Sequence, residues 1–167
     1  MSRPGIAILS GFAFVWVVLA KLNSAPIPWL ALLIPLVISV WLMWTTAQRP
    51  PIDSTVAATE QRRIGRIFMW SSIGEGVGIF VIIKILANVG MADRYMSGMA
   101  LAVGIHFIPI ALGIPYRPYI WLASMMIVLA GIGLVIPSPQ LAALFVGCGA
   151  AMLQWLTAFQ GISKVVN

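Results

Sequence analysis

Apolar residues run through this chain in long uninterrupted blocks, separated by short clusters of Pro, Gly, Asn, Asp and Arg. The blocks cover residues 5–22, 27–46, 64–88, 96–113, 119–136 and 141–160. A helix needs about 20 apolar residues to cross a hydrocarbon core about 30 Å thick, so each block predicts one span. In a bilayer only a helix bonds every backbone group within its own segment, which makes the spans helical. The expected fold is an all-α polytopic membrane protein in one domain, residues 1–167.

The first block follows Arg3 and imitates a signal peptide. It is too long for the apolar core of one, and its only small-residue site, "NSA", is followed at once by Pro26. An uncleaved first span is expected. The punctuation also predicts topology. Arg3, Arg49, Arg62, Arg63, Arg66, Arg117 and Lys164 fall on one side, against Lys21, Lys84 and Arg94 on the other. The positive-inside rule then puts both termini in the cytoplasm. The one sizeable loop, residues 47–63, reads "AQRPPIDSTVAATEQRR". Pro50 and Pro51 should stop the second helix, and Asp53 or Ser54 should cap the third. That third helix is expected to start before the membrane and enter it through a collar of Arg62, Arg63 and Arg66, which sets topology and attracts anionic lipid. Trp29 at the outer boundary, and Trp44 and Trp121 at the inner one, fit an aromatic belt.

Composition agrees. The chain is 61% hydrophobic and 8% charged, with a mean hydropathy of +1.02, whereas soluble domains are about half apolar and about a quarter charged. The net charge of +6 comes from ten scattered cations and forms no patch with interleaved aromatics, which excludes a nucleic-acid partner. Orientation and anionic headgroups are the expected uses of this charge. Cys148 stands alone, so neither an intrachain disulfide nor a paired-cysteine metal motif is expected.

The intramembrane "HFIP" with its following "PYRPY" turn resembles small bacterial inner-membrane proteins. That resemblance implies a multi-pass inner-membrane location and carries no activity. "PIPWLA" at 26–31 and "PYIWLA" at 118–123, with "GEG" at 74–76 and "GCG" at 147–149, suggest a weak three-plus-three repeat. An odd number of spans per repeat would invert the second copy, and such repeats carry sites near the midplane.

Candidate chemistry is confined to a few residues. Ionisable groups at the centre of a span cost about 2.5–3.5 kcal/mol on insertion scales and mark functional sites by default. Glu75 and His106 lie ten or eleven residues inside their blocks, or about 15 Å at 1.5 Å per residue, near the midplane. The short connection "VGMADRY" makes their spans a hairpin, so the two side chains should meet. Burial favours the neutral form of each and their attraction favours the charged pair, the balance from which proton exchange arises. The alternative role is interhelical glue. Gly74 and Gly78 predict a close helix–helix seam, and Ser71 offers a hydroxyl one turn before Glu75. Pro109 cannot donate to the carbonyl of Ile105 and leaves an acceptor beside His106. Gln154 is expected to line a polar path near Glu75 or to bond between helices.

Lys84 should snorkel towards Asp93, and Arg117 belongs to a turn. Met91, Met96 and Met99 are read as packing residues in preference to a Cu(I) site. There is no second intramembrane acid, no Ser-His-Asp set within the spans and no phosphate-binding loop, so no enzyme, metal or cofactor is expected. The expected function is a small transporter or channel, proton-coupled through Glu75 and His106 and self-associating. Alternatives are a non-transporting assembly partner or lipid-binding regulator, and a membrane redox partner holding haem or quinone at His106.

Overall fold

Prolines and one glycine set the helix ends. The computed structural model describes residues 3–23, 28–48, 58–114 and 116–163. It contains the helices α1 (Arg3–Asn23), α2 (Leu33–Ala47), α3 (Ala58–Asn88), α4 (Tyr95–Gly113), α5 (Pro118–Val135) and α6 (Pro139–Ser163). Short 3₁₀ turns at Trp29–Leu32 and Ala92–Arg94 precede α2 and α4, and no strand occurs among the described residues. Pro118 and Pro139 open α5 and α6, where a missing N–H costs nothing and a fixed φ is already helical. At the other end of α3, Gly90 takes a φ of +75°. The Met91 amide donates to the Leu86 carbonyl at 2.7 Å and the Gly90 amide to Ala87 at 3.2 Å, the Schellman arrangement that reverses the chain into α4.

All six helices are long and apolar enough to cross a membrane, α2 together with its leading 3₁₀ turn. The chain is a multi-pass membrane protein. Its helices follow the apolar blocks to within a few residues, with two differences. The second block begins as a 3₁₀ turn because Pro35 cannot donate to Ala31 and crowds its carbonyl, so α-geometry starts only at Leu33. The third helix is described from Ala58, ahead of its apolar block, as expected of a helix that starts before the membrane. The features assigned to Pro26, Arg49, Pro50, Pro51, Asp53, Ser54 and Lys164, and to the side chain of Arg3, lie outside the described residues.

The helices pack unevenly. α1 lies between α2 and α6, α4 lies between α3 and α5, and α5 joins the two groups by packing on α6. Met96, Ile110, Leu122, Met126 and Val146 form the driest part of the core. At the α1–α6 crossing a Cβ on Gly147 would stand 2.5 Å from the Ala20 Cβ and 2.9 Å from the Trp16 carbonyl oxygen, so only glycine fits. Small residues allow this approach where lipid gives helices little hydrophobic reason to associate. Polar bonds add to it. The Trp155 Nε1–H donates to Ser39 Oγ at 3.0 Å, and that hydroxyl donates to the Ser10 carbonyl at 2.8 Å, linking α6, α2 and α1.

α3 is the exception. It rests on α4 and scarcely touches the other long helices, and much of its apolar surface is exposed. A cleft separates it from α1. The two glycine stretches of the suggested repeat therefore sit differently: Gly147 and Gly149 are wedged against α1 and α5, while Gly74 and Gly76 have nothing within 4 Å of a built Cβ.

Candidate functional site

The α3–α4 hairpin brings the two midspan ionisable groups together. His106 Nε2 lies 3.6 Å from Glu75 Oε2, with the histidine side chain 8% exposed and the carboxylate 21%. This is within reach of an ion pair and too long for a hydrogen bond. Ser71, one turn before Glu75, is buried, and its Oγ donates to the carbonyl of His106 at 3.5 Å. The hydroxyl therefore holds the backbone of α4 rather than the carboxylate. The carbonyl it reaches belongs to His106, one residue beyond the acceptor that Pro109 was expected to free.

Two cavities meet at this pair. One, of about 880 Å³, follows the groove between α3 and α4 and extends to Arg63 and Arg66. The other, of about 930 Å³, fills the cleft between α1 and α3, with walls from α4, Tyr119 and Gln154. Glu75 and His106 line both cavities. Gln154, expected near Glu75, shares the second cavity with it and is 2% exposed. Its Oε1 and His106 Nδ1 are buried without a hydrogen-bond partner. Buried polar atoms are nearly always paired, so two unpaired ones on one cavity are unusual.

The glycines divide. Gly78 faces α4, with a built Cβ 3.8 Å from that of Ala102, whereas Gly74 has no neighbour within 4 Å and opens onto the first cavity. A close seam through both positions is not formed, because among the described residues α4 is the one long helix that packs closely on α3. Pro109 lines the same cavity as Gly74 and is exposed.

The remaining charges have local roles. Arg62, Arg63 and Arg66 are all exposed on α3. Arg63 donates to Glu60 Oε2 at 2.8 Å and to the Gly113 carbonyl at 3.2 Å, tying the start of α3 to the end of α4. Hydrogen bonding from Arg63 holds the Glu60 carboxyl below its ordinary range. Lys84 does not reach towards Asp93. Its ammonium lies 5.7 Å from the Phe80 ring centroid, one turn away, while Asp93 lies 3.8 Å from the guanidinium of Arg94. Lys21 sits 5.1 Å from the ring centroid of Trp29, and Arg117 is exposed in the turn before α5. Met96 is buried in the core. Among the described residues no group of three His, Cys, Asp or Glu side chains is placed to hold a metal ion.

Sequence reasoning missed two features. Arg94, read as a topology charge, donates to the carbonyls of Gly133, Ile136 and Pro137 and so caps the end of α5. Its signal was weak, since only the fold sets the α3–α4 and α5–α6 turns side by side. The second is the aromatic lining of the α1–α3 cleft, where Phe12 and Trp16 of α1 face Phe68 of α3. Phe107 stacks on Tyr119 behind them, with centroids 5.8 Å apart. The four-residue spacing of Phe12 and Trp16 was visible, but it does not say what the stripe faces.

Comparison with protein-family profiles, with curated proteins and with solved structures finds no match to this chain.

Proposed function

We propose that this protein is a small transporter or channel in which Glu75 and His106 form a proton-exchanging centre. One observation carries the reading: the pair is the shared wall of two cavities, so a proton or solute passing from one to the other meets these groups. The 3.6 Å separation supports it as well. Helix glue would close to a hydrogen bond, whereas this gap leaves each group able to engage a third. The loosely packed α3 supplies a mobile wall, since elements with few buried contacts are those that move at least cost. In the orientation set by the basic flanks, both ends of the chain face the cytoplasm of a bacterial inner membrane, and the Arg63–Arg66 end of the first cavity opens there.

The test is proton flux into liposomes holding the purified protein, from about pH 5 to 8, the window in which imidazole side chains ordinarily titrate. Glu75→Gln keeps the side chain's size and removes the exchangeable carboxyl proton. It is expected to abolish the flux while the protein stays folded. Equal flux in variant and wild type would take Glu75 out of the mechanism.

The exposed face of α3 favours a second reading, an assembly partner whose third helix docks on another membrane protein. A stoichiometric partner recovered from membranes, with no flux from the purified chain, would select it.

A further inference from the structure

We infer that the α3–α4 groove seats one anionic phospholipid, with its phosphate on Arg66 beside Arg63 and an acyl tail running inward past Trp70 and Gly74. The site does not depend on whether Glu75 and His106 exchange protons, since the rim and walls of the groove hold the lipid.

Three separate features lead there. The first is charge at one end. Arg63 and Arg66 line the mouth of the groove. Arg63 is committed to Glu60 and to the Gly113 carbonyl, whereas Arg66 is exposed and has no hydrogen-bond or ion-pair partner among the described residues. Over residues 60–66 three arginines stand against one carboxylate, so this end is positive. Arginine does not lose its charge in a protein, and its guanidinium grips a phosphate through two parallel N–H bonds. Basic pockets between membrane helices are where anionic headgroups settle.

The second is the wall. Arg66, Trp70, Gly74, Gly78 and Ile82 follow one another at four-residue intervals down α3, and all of them line the groove. Such a row is one face of a helix. Its first member is the cation and its second an exposed indole, the side chain that favours the level between headgroups and acyl carbons. Below them the wall is hollow: a built Cβ on Gly74 has nothing within 4 Å, and one on Gly78 stands 3.8 Å from that of Ala102. Ile67, Ile105 and Leu112 make the sides apolar.

The third is reach and access. Gly78 lies twelve residues beyond Arg66, or about 18 Å along the helix, against about 15 Å for half of the hydrocarbon core. The hollow is therefore about as deep as one leaflet. Trp70, Ile105, Pro109 and Leu112 are exposed, so the groove opens sideways, where hydrocarbon lies in a membrane. A lipid enters by that route with its tail, whereas a water-soluble anion has no use for the apolar length below Arg66. The concave wall and the cation on its rim distinguish this place from the convex lipid-facing surface elsewhere.

The experiment is native mass spectrometry of the purified full chain, released from detergent with one added probe at a time. The probes are dioleoyl phosphatidylglycerol, dioleoyl phosphatidylcholine, which has the same tails and no net charge, and glycerol phosphate, which has the charge and no tail. Wild type is expected to retain one phosphatidylglycerol saturably, to hold phosphatidylcholine at least about tenfold more weakly, the scale of one hydrogen bond to a charged group, and to retain no glycerol phosphate. Arg66→Gln should bring phosphatidylglycerol down by about tenfold. Arg117→Gln removes an exposed arginine outside the groove and should leave it unchanged. Gly74→Leu puts a side chain into the hollow, where a built Cβ meets no protein atom, and should weaken both lipids alike.

Equal retention of the two lipids by wild type, or retention of neither, overturns the proposal, and that comparison needs no variant. Equal losses in Arg66→Gln and Arg117→Gln overturn it too, since the preference would then belong to the whole basic face. Undiminished binding to Gly74→Leu would take the tail out of the groove. Glycerol phosphate held as tightly as the lipid would make Arg66 a phosphate site and overturn the lipid assignment.

Discussion

Gln154 places a carbonyl oxygen in the interior with nothing to bond it. A buried unpaired acceptor costs about 1–3 kcal/mol of desolvation, and a well-packed core has no reason of its own to keep one. Replacing it with an apolar group of similar volume removes that cost. Gln154→Leu is therefore expected to raise the melting temperature in detergent, measured by intrinsic fluorescence. A lower melting temperature would make Gln154 part of the packing. Its residue type and depth were readable from the chain. Its orphaned oxygen was not, because hydrogen-bond satisfaction depends on neighbours from other helices.

Helix ends in this protein are held by side chains from distant turns. Arg94 lays its guanidinium against carbonyls at the C-terminal end of α5, where unpaired acceptors and the helix dipole both favour a cation. Its side chain is 12% exposed, so solvent screens these bonds little. Arg94→Ala should lower unfolding stability by about 2–3 kcal/mol, the scale of losing hydrogen bonds to a charged group. Deuterium exchange should rise first around residues 132–137. Arg94→Lys should recover only part of the loss, because one ammonium cannot reproduce the planar fork that serves several carbonyls at once. Unchanged exchange at the end of α5 in the alanine variant would show the cap to be dispensable. The helices themselves were legible in the apolar blocks to within a few residues. Hydropathy alone leaves the polar first turns of α3, from Ala58, as loop, and its early start was readable only from the polar sequence ahead of the block.

At the scale of the whole molecule the bundle divides into a tightly packed part and one loosely held helix. The α1–α6 crossing depends on Gly147, and α3 leans on α4 beside an open cleft. Gly147→Ala should destabilise the protein by about 1–3 kcal/mol, as overpacking does, because the added methyl meets backbone on α1. Gly76→Ala meets nothing within 4 Å and should be neutral, or gain up to about 1 kcal/mol in helix propensity. Size-exclusion profiles and melting temperatures of the pair test this contrast. Equal losses at both sites would mean that α3 packs as closely as α1 does. Both glycines occur in near-identical "GEG" and "GCG" contexts, so local sequence could not rank them.

What the sequence alone determined is what depends on one segment and the solvent around it. Long apolar blocks specify membrane-crossing helices because each satisfies its own backbone bonds, and an acid and an imidazole at equal depth on neighbouring spans specify a candidate pair. Tertiary structure decided the rest. It set the 3.6 Å approach of Glu75 to His106, gave the pair a cavity on either side, left Gln154 Oε1 and His106 Nδ1 buried without a hydrogen-bond partner, and turned Arg94 into a cap. Each of these depends on which helix stands next to which. In a bilayer, where most outward faces are apolar alike, hydrophobic pattern carries little information about neighbours, and close-packed small residues and a few polar bonds make the choice.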